Sequence, residues 1–185
     1  AEYGQAMSGV VNIVTKDGSN NFSGSVQSFT GDYISNKSDV FWNIDKIDPI
    51  AIKSFEGSLS GPILRDKLFF FTNARYYYNK GHLYGKRTFL VTDLSREVTG
   101  SAGSEFNITQ SGDESFVPMN WNERIFGQGK LTYRFMPNLR FAFSYIYDGQ
   151  NYQNYDHGNR LTPDNNLQRF RTGHSNTFSI NHALS

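Results

Sequence analysis

Residues 124–148 carry the pattern that most restricts how this chain can fold. Read by parity, residues 139–148 place Leu, Phe, Phe, Tyr and Tyr on one side and Arg, Ala, Ser, Ile and Asp on the other. Residues 124–135 alternate in a similar way, and a Met-Pro-Asn turn at 136–138 separates the two runs. Because successive side chains of a strand point to opposite faces, this segment predicts a β-hairpin with one aromatic face and one polar face. A soluble sheet can have such faces. So can the wall of an outer-membrane barrel, where the apolar face meets lipid and the polar face lines a wet lumen.

The composition of the chain favours strands and argues against several other classes of protein. Only 37% of the 185 residues are hydrophobic, yet 16% are aromatic, a combination that suits strands better than helices. Cysteine is absent, which excludes a disulfide scaffold and thiolate metal sites. The formal net charge is +1 and the basic residues are scattered, so we expect no nucleic-acid partner.

Six segments are predicted to form an all-β, antiparallel, up-and-down transmembrane β-barrel segment. They lie near residues 22–30, 53–60, 68–78, 124–135, 139–148 and 174–184. The connections between them are alternately short and long, and alternate connections of a meander lie at the same end. The long loops are therefore expected together at the extracellular end, with the short turns in the periplasm, and these loops are 31–52, 79–123 and 149–173. Strands of about 10 residues, tilted by about 45°, match the apolar band of such barrels.

Two segments resemble a known family in their residues as well as in their pattern. Residues 9–16 read Gly-Val-Val-Asn-Ile-Val-Thr-Lys and are followed by Gly18. With this motif, residues 1–18 are similar to the end of the plug domain of TonB-dependent outer-membrane receptors. Residues 59–71 read Leu-Ser-Gly-Pro-Ile-Leu-Arg-Asp-Lys-Leu-Phe-Phe-Phe, which resembles the second periplasmic turn and third strand of the large Bacteroidetes-type and Oar-like receptors. The two motifs also stand in the order expected for that family.

The resemblance implies a receptor of the bacterial outer membrane that imports a scarce ligand, with a plug inside a barrel of about 22 strands. Residues 1–18 would be the C-terminal end of the plug, and residues 19–185 the N-terminal part of the barrel. The TonB box and most of the plug would precede this chain, and further strands would follow it. The implied partners are the outer-membrane lipid bilayer and the TonB-ExbB-ExbD complex, which would act through the N-terminal part. A surface lipoprotein is a further candidate partner. The resemblance implies no cofactor and leaves the imported ligand unidentified.

The barrel interpretation assigns strand side chains to two environments by parity. Lumen-facing positions, in contact with plug or water, are predicted for Arg75, Lys130, Arg134 and Arg140. Lipid-facing positions are predicted for Leu131, Tyr133, Phe141, Phe143 and Tyr145.

Aromatic residues stand beside amides in and around the long loops, and four of them are predicted to touch ligand. Rings stack on the apolar faces of sugars or on peptide side chains, while amides hydrogen-bond polar edges. An outer vestibule is therefore predicted to include Trp42, Trp121, Tyr152 and Tyr155. The alternative is that these rings anchor the loops against one another or at the lipid interface.

The sequence contains no recognisable catalytic constellation. The four histidines are widely separated, and the motifs of serine hydrolases, zinc peptidases and phosphate-binding loops do not occur. We therefore expect a protein that is not an enzyme, with no catalytic residue and no metal site. Two alternatives to the importer remain open: a soluble secreted β-sandwich that binds carbohydrate, and an outer-membrane component of a secretion or adhesion assembly that works without TonB.

Overall fold

The computed structural model describes residues 16–100 and 103–183, and nearly all regular structure in these ranges is β-strand. The strands are β1 (Ser23–Gly31), β2 (Ile52–Leu64), β3 (Leu68–Asn79), β4 (Tyr84–Lys86), β5 (Ser95–Gly100), β6 (Gly103–Ile108), β7 (Phe116–Pro118), β8 (Asn122–Met136), β9 (Leu139–Gln153) and β10 (Gln168–His182). Two single-turn 3-10 helices, His157–Asn159 and Pro163–Asn165, lie between the last two strands. Among the described residues, no helix has the length and apolar character needed to cross a membrane.

Six long strands form the main sheet, in the order β1-β2-β3-β8-β9-β10. Every neighbouring pair is antiparallel, so the sheet is an up-and-down meander interrupted only by the excursion from β3 to β8. Strands β1 and β10 are its edges and do not pair with each other within the described ranges, so this part of the chain is an open wall rather than a closed barrel. The predicted all-β, antiparallel, six-stranded architecture is confirmed. The predicted plug end at residues 1–18 stays a prediction, since residues 1–15 lie outside the described part.

Several strands are longer than the alternation pattern predicted. β9 continues to Gln153 and β10 begins at Gln168, although residues 149–173 were expected to form a loop. The reason is backbone pairing: the register continues through Asn151–Phe170 and Tyr152–Arg169, where the side chains no longer alternate in polarity. At 15 residues each, β8, β9 and β10 are about 50 Å long, which exceeds the roughly 25 Å apolar band even when the strands are tilted. In a barrel, strands of this length would extend beyond the apolar band into the regions that the sequence predicted to be loops.

The two faces of the main sheet differ sharply in chemistry. The predicted lipid-facing residues share the apolar face, where Leu131 pairs with Phe143 and Tyr133 pairs with Phe141. The apolar face is open: Phe143 is 45% exposed and Phe178 is 64% exposed. In the described ranges, the buried apolar side chains are few, namely Ile44, Ala51, Phe69, Met119 and Ala142. Such a large exposed apolar surface is typical of a sheet that meets a membrane or another protein.

The polar face is the opposite face of the same strands. It carries all four basic residues predicted to face a lumen, on β3 (Arg75), β8 (Lys130 and Arg134) and β9 (Arg140). The structure thus places every residue predicted to face the lumen on one face of the main sheet and every residue predicted to face lipid on the other. Their contact with lipid and with a lumen stays a prediction.

Candidate ligand site and polar wall

The three long connections pack together beyond one end of the main sheet, and we call residues 32–51, 80–121 and 154–167 the loop layer. The connection 80–121, which the sequence treats as one irregular loop, contains two small sheets, β4–β7 and β5–β6. Backbone hydrogen bonds from Lys86 N to Arg160 O (2.8 Å) and from Phe89 N to Leu161 O (3.0 Å) tie it to the last connection. Met119 and Pro163 are fully buried between them. The loop layer therefore has a small core of its own.

Gly85 shows how closely the loop layer is packed. A Cβ atom at this position would lie 2.8 Å from the carbonyl oxygen of Arg160 and 3.0 Å from Cβ of Pro163. The residue is buried in β4, so the absence of a side chain is what allows β4 to lie against the last connection.

Arg87 joins two connections of the loop layer through charge-assisted hydrogen bonds. Its Nε and Nη2 atoms donate to the two carboxylate oxygens of Asp164 at 2.6 and 3.1 Å. Its Nη1 atom donates to Ser115 Oγ at 2.7 Å and to Asp113 Oδ2 at 3.1 Å. The two carboxylates, with Asp164 the stronger partner, raise the pKa of Arg87 above its ordinary value. Bidentate pairs of this kind add geometric specificity to a loop.

The surroundings of the Asp113 carboxylate predict that the loop layer loses stability in acid. Hydrogen bonds from the side chain and backbone of Ser115, together with Arg87, lower the pKa of Asp113 to about 2 from 3.8. The Asp113 carboxylate therefore binds a proton more readily in the unfolded chain than in the folded one, so the loop should lose stability as the pH falls from about 4 to about 2.

We expect pepsin to cleave the Asp113→Asn variant between β4 and β7 faster than the wild type at pH 4.5. The two rates should converge toward pH 2, and a constant ratio would contradict the assignment.

An aromatic cavity of about 390 Å³ lies within the loop layer. All three connections contribute to its wall, which is lined by Asp39, Val40, Phe41, Trp42, His82, Leu83, Tyr84, Tyr155, His157 and Arg160. Its volume falls within the range of about 300–1,000 Å³ that is usual for small-molecule sites, and its wall has the mixture of rings and polar groups that such sites show. The aromatic cavity is therefore the candidate ligand site.

Three polar groups of the aromatic cavity lack protein partners that could neutralise or satisfy them. The guanidinium of Arg160 lies 3.6 Å from the ring centroid of Trp42 and makes no ion pair within the described residues. Asp39 is exposed and has no ion-pair partner in the same part of the chain. The Nδ1 atom of His82 is buried without a hydrogen-bond partner, while Tyr33 and Phe41 pack against its ring at centroid distances of 5.0 and 5.8 Å. A bound ligand could satisfy all three groups.

The structure brings two of the four predicted vestibule residues together. Trp42 and Tyr155 both line the aromatic cavity, and Tyr155 bonds through its hydroxyl to Nδ1 of His157 at 3.0 Å. Trp121 precedes β8 and accepts a backbone hydrogen bond from Gln153, and Tyr152 lies within β9; neither is part of the cavity wall. Trp42 also contacts Phe116 edge-on, with a centroid distance of 6.2 Å, so it anchors the loops as well as lining the cavity.

Sequence reasoning missed Asp39, His82 and Arg160. Residues 39 and 160 are separated by most of the chain, and no local spacing links either of them to His82. The aromatic residues at 152–155 were the sequence signal nearest to Arg160. They identified Tyr155 as a candidate, but they did not point to Asp39, His82 or Arg160.

The polar face of the main sheet holds a second depression, of about 380 Å³, next to the loop layer. Arg75 and Arg124 contribute to its wall, together with Glu56, Asn73, Tyr77, Asn122 and Phe126. Arg124 forms a bidentate pair with Asp148 at 2.6 and 2.9 Å, whereas Arg75 lies 4.0 Å from Glu56. This arrangement gives the polar face a charged wall at the end of the sheet where β3 leads into the loop layer and β8 leaves it.

Asp17 connects the start of the described chain to the polar face at the opposite end of the sheet. Its carboxylate lies 2.6 Å from Nζ of Lys130 and 3.1 Å from Nη1 of Arg140, and it accepts a hydrogen bond from Thr132 at 3.3 Å. Gly18, which is buried, lies so close to β3 that a Cβ atom would be 2.4 Å from the carbonyl oxygen of Phe70. The chain therefore crosses the polar face of β3, β8 and β9 before it enters β1.

Comparison with known proteins agrees with this architecture. Residues 14–102 match the family model described as an outer membrane beta barrel domain. No curated protein and no solved structure matches the chain. Together with the amphipathic six-stranded wall, the match places this protein in the bacterial outer membrane, in association with its lipid bilayer.

Proposed function

We propose that this outer-membrane β-barrel segment belongs to a TonB-dependent receptor that imports a scarce solute into the periplasm. The chain would supply the first six strands of the wall, with the loop layer outside the cell and the short turns in the periplasm. Under this proposal the protein is a transporter rather than an enzyme. The proposal retains the division predicted from the sequence, with a plug end at residues 1–18 and a barrel wall at residues 19–185.

The path of residues 16–18 is the observation that carries the proposal. In a simple pore, nothing requires the chain before the first strand to lie against the lumen wall. Here Asp17 is bound to β8 and β9, three and four strands away from β1 in the sheet, on the face predicted to line the lumen. A chain that enters the wall from inside the barrel is what a preceding plug domain requires.

The structured loop layer also supports an importer. The loop layer contains the aromatic cavity, whose wall has unsatisfied polar groups. The polar face of the main sheet, next to the loop layer, carries a charged depression. In the proposed orientation a solute captured outside would meet the polar wall next. The mouth of a β-barrel is a common location for ligand-binding sites.

Two measurements on the intact protein, purified in detergent, test the proposal. It should capture the purified periplasmic domain of TonB, and in planar lipid bilayers it should show no steady open conductance, because a plug fills the lumen. Deletion of the whole plug, through residue 18, should produce open channels. A secretion or adhesion component would fail to capture TonB, and a protein that stays monomeric and soluble without detergent would be the soluble alternative; either result refutes the receptor.

A further inference from the structure

From the chemistry of the aromatic cavity we infer that it binds short peptides in their zwitterionic form, through the ammonium group, the carboxylate and one apolar side chain. The inference names a ligand class for the proposed receptor, and its biological use rests on that proposed function. Asp39 and Arg160 line the same cavity, and neither forms an ion pair within the described residues, although the Arg160 guanidinium stacks on the ring of Trp42. The cavity therefore offers one anionic and one cationic contact, with no net charge between them.

This charge pattern favours a ligand that carries both signs. A purely anionic ligand would meet Arg160 favourably but would bring its charge close to Asp39, and a purely cationic ligand would meet the reverse problem. A neutral ligand would displace water from both groups without supplying an opposite charge, which is unfavourable for charged side chains. A free peptide supplies a carboxylate to Arg160, where a guanidinium can make two parallel hydrogen bonds, and an ammonium to Asp39.

The remaining wall suits the middle of a peptide. The unpartnered Nδ1 atom of His82 can hydrogen-bond a peptide group, which offers both an N–H donor and a carbonyl acceptor. Phe41, Trp42 and Tyr84 provide apolar ring surface for one side chain. A volume of about 390 Å³ limits the ligand to a few residues and excludes a folded partner.

The test is calorimetric titration of the intact protein in detergent, with the tripeptide alanyl-phenylalanyl-alanine as the probe. We expect binding of the free tripeptide and at least tenfold weaker binding of its N-acetylated form and of its C-terminal amide. The protein variants should mirror these blocked ligands. Asp39→Asn should weaken the free tripeptide but leave the N-acetylated form unchanged, and Arg160→Gln should weaken the free tripeptide but leave the amide unchanged.

Matched controls separate this result from loss of folding. Arg160→Lys retains the positive charge but cannot make two parallel hydrogen bonds, so it should recover only part of the affinity that Arg160→Gln loses. Asp45→Asn and Arg96→Gln change the same charges on exposed loop-layer residues outside the cavity wall, and should bind like the wild type. Every variant is first required to show the heat-dependent gel mobility of a folded barrel.

Each outcome decides the inference. Equal affinity for blocked and free peptides, no binding by a folded wild type, or binding of maltotriose in place of the peptide would overturn it. The titration needs neither TonB nor an energised membrane, so its result is independent of the proposed transport. Peptide binding without TonB capture would support the peptide-binding inference and refute the proposed receptor function. TonB capture without peptide binding would support the receptor function and refute the peptide-binding inference.

Discussion

Replacing Phe143 by arginine is expected to prevent the intact protein from assembling in the outer membrane. Phe143 lies in β9 on the apolar face, between Leu131 of β8 and Phe178 of β10, and its neighbours there are apolar. An arginine that faces lipid near the middle of a bilayer costs about 2–4 kcal/mol. Comparing unboiled and boiled samples on a gel measures the result, because only the assembled barrel has heat-dependent mobility.

Two control variants show whether the face or the bulk of the residue matters. Phe143→Leu keeps the apolar character and should assemble normally. Thr177→Arg introduces the same charge on the neighbouring strand, but on the polar face, opposite Ser144. We expect this variant to assemble as well, since the predicted lumen side is hydrated. Normal assembly of Phe143→Arg would refute the assignment of the apolar face to lipid.

Reversing the charge at Asp17 is expected to make the barrel leak. Asp17→Lys would place a third positive charge beside Lys130 and Arg140, in place of the carboxylate that now contacts both. The side chain of Lys130 is only 14% exposed, so solvent screens this repulsion poorly. Losing a hydrogen-bonded charge contact of this kind costs about 1–3 kcal/mol, which corresponds to an increase of roughly 5- to 150-fold in the open population. Greater sensitivity of cells to vancomycin, which does not cross an intact outer membrane, measures the leak.

The charge dependence of this effect can be isolated. Asp17→Asn retains the size and a hydrogen-bond acceptor for Thr132, so it should leak less than Asp17→Lys. Combining Asp17→Lys with Lys130→Asp restores an ion pair between the lead-in segment and β8 and should recover much of the barrier. If all three variants left vancomycin sensitivity at the wild-type level, Asp17 would not hold the start of the chain to the wall.

The assignment of residues to the two faces of the main sheet was predictable from the sequence because it depends on parity. Once residues 139–148 form a strand, Phe141, Phe143 and Tyr145 must share a face and Arg140 must lie on the other. Hairpin pairing with residues 124–135 then adds Leu131 and Tyr133 to the apolar face and Lys130 and Arg134 to the polar face. No information from distant parts of the chain is needed for this step.

Strand ends were less predictable, because backbone pairing continues where side-chain alternation stops. Residues 149–153 are polar or contain glycine, yet they remain in β9, since β8 and β10 both provide hydrogen-bonding partners for this region. The connection 80–121 likewise gave no periodic signal, although it folds into two short antiparallel pairs. Pairs of three or six residues are too short for alternation to identify them.

The sequence by itself determined the strand meander, its two faces and the resemblance to an outer-membrane receptor, because each follows from local spacing or from short contiguous motifs. Only the tertiary structure decided which distant residues meet. Asp17 contacts Arg140 across 123 positions of the chain, and the aromatic cavity needs residues from all three long connections. The physical reason is that ion pairs and cavity walls depend on through-space distance, which strand pairing and loop packing set and which no local pattern encodes.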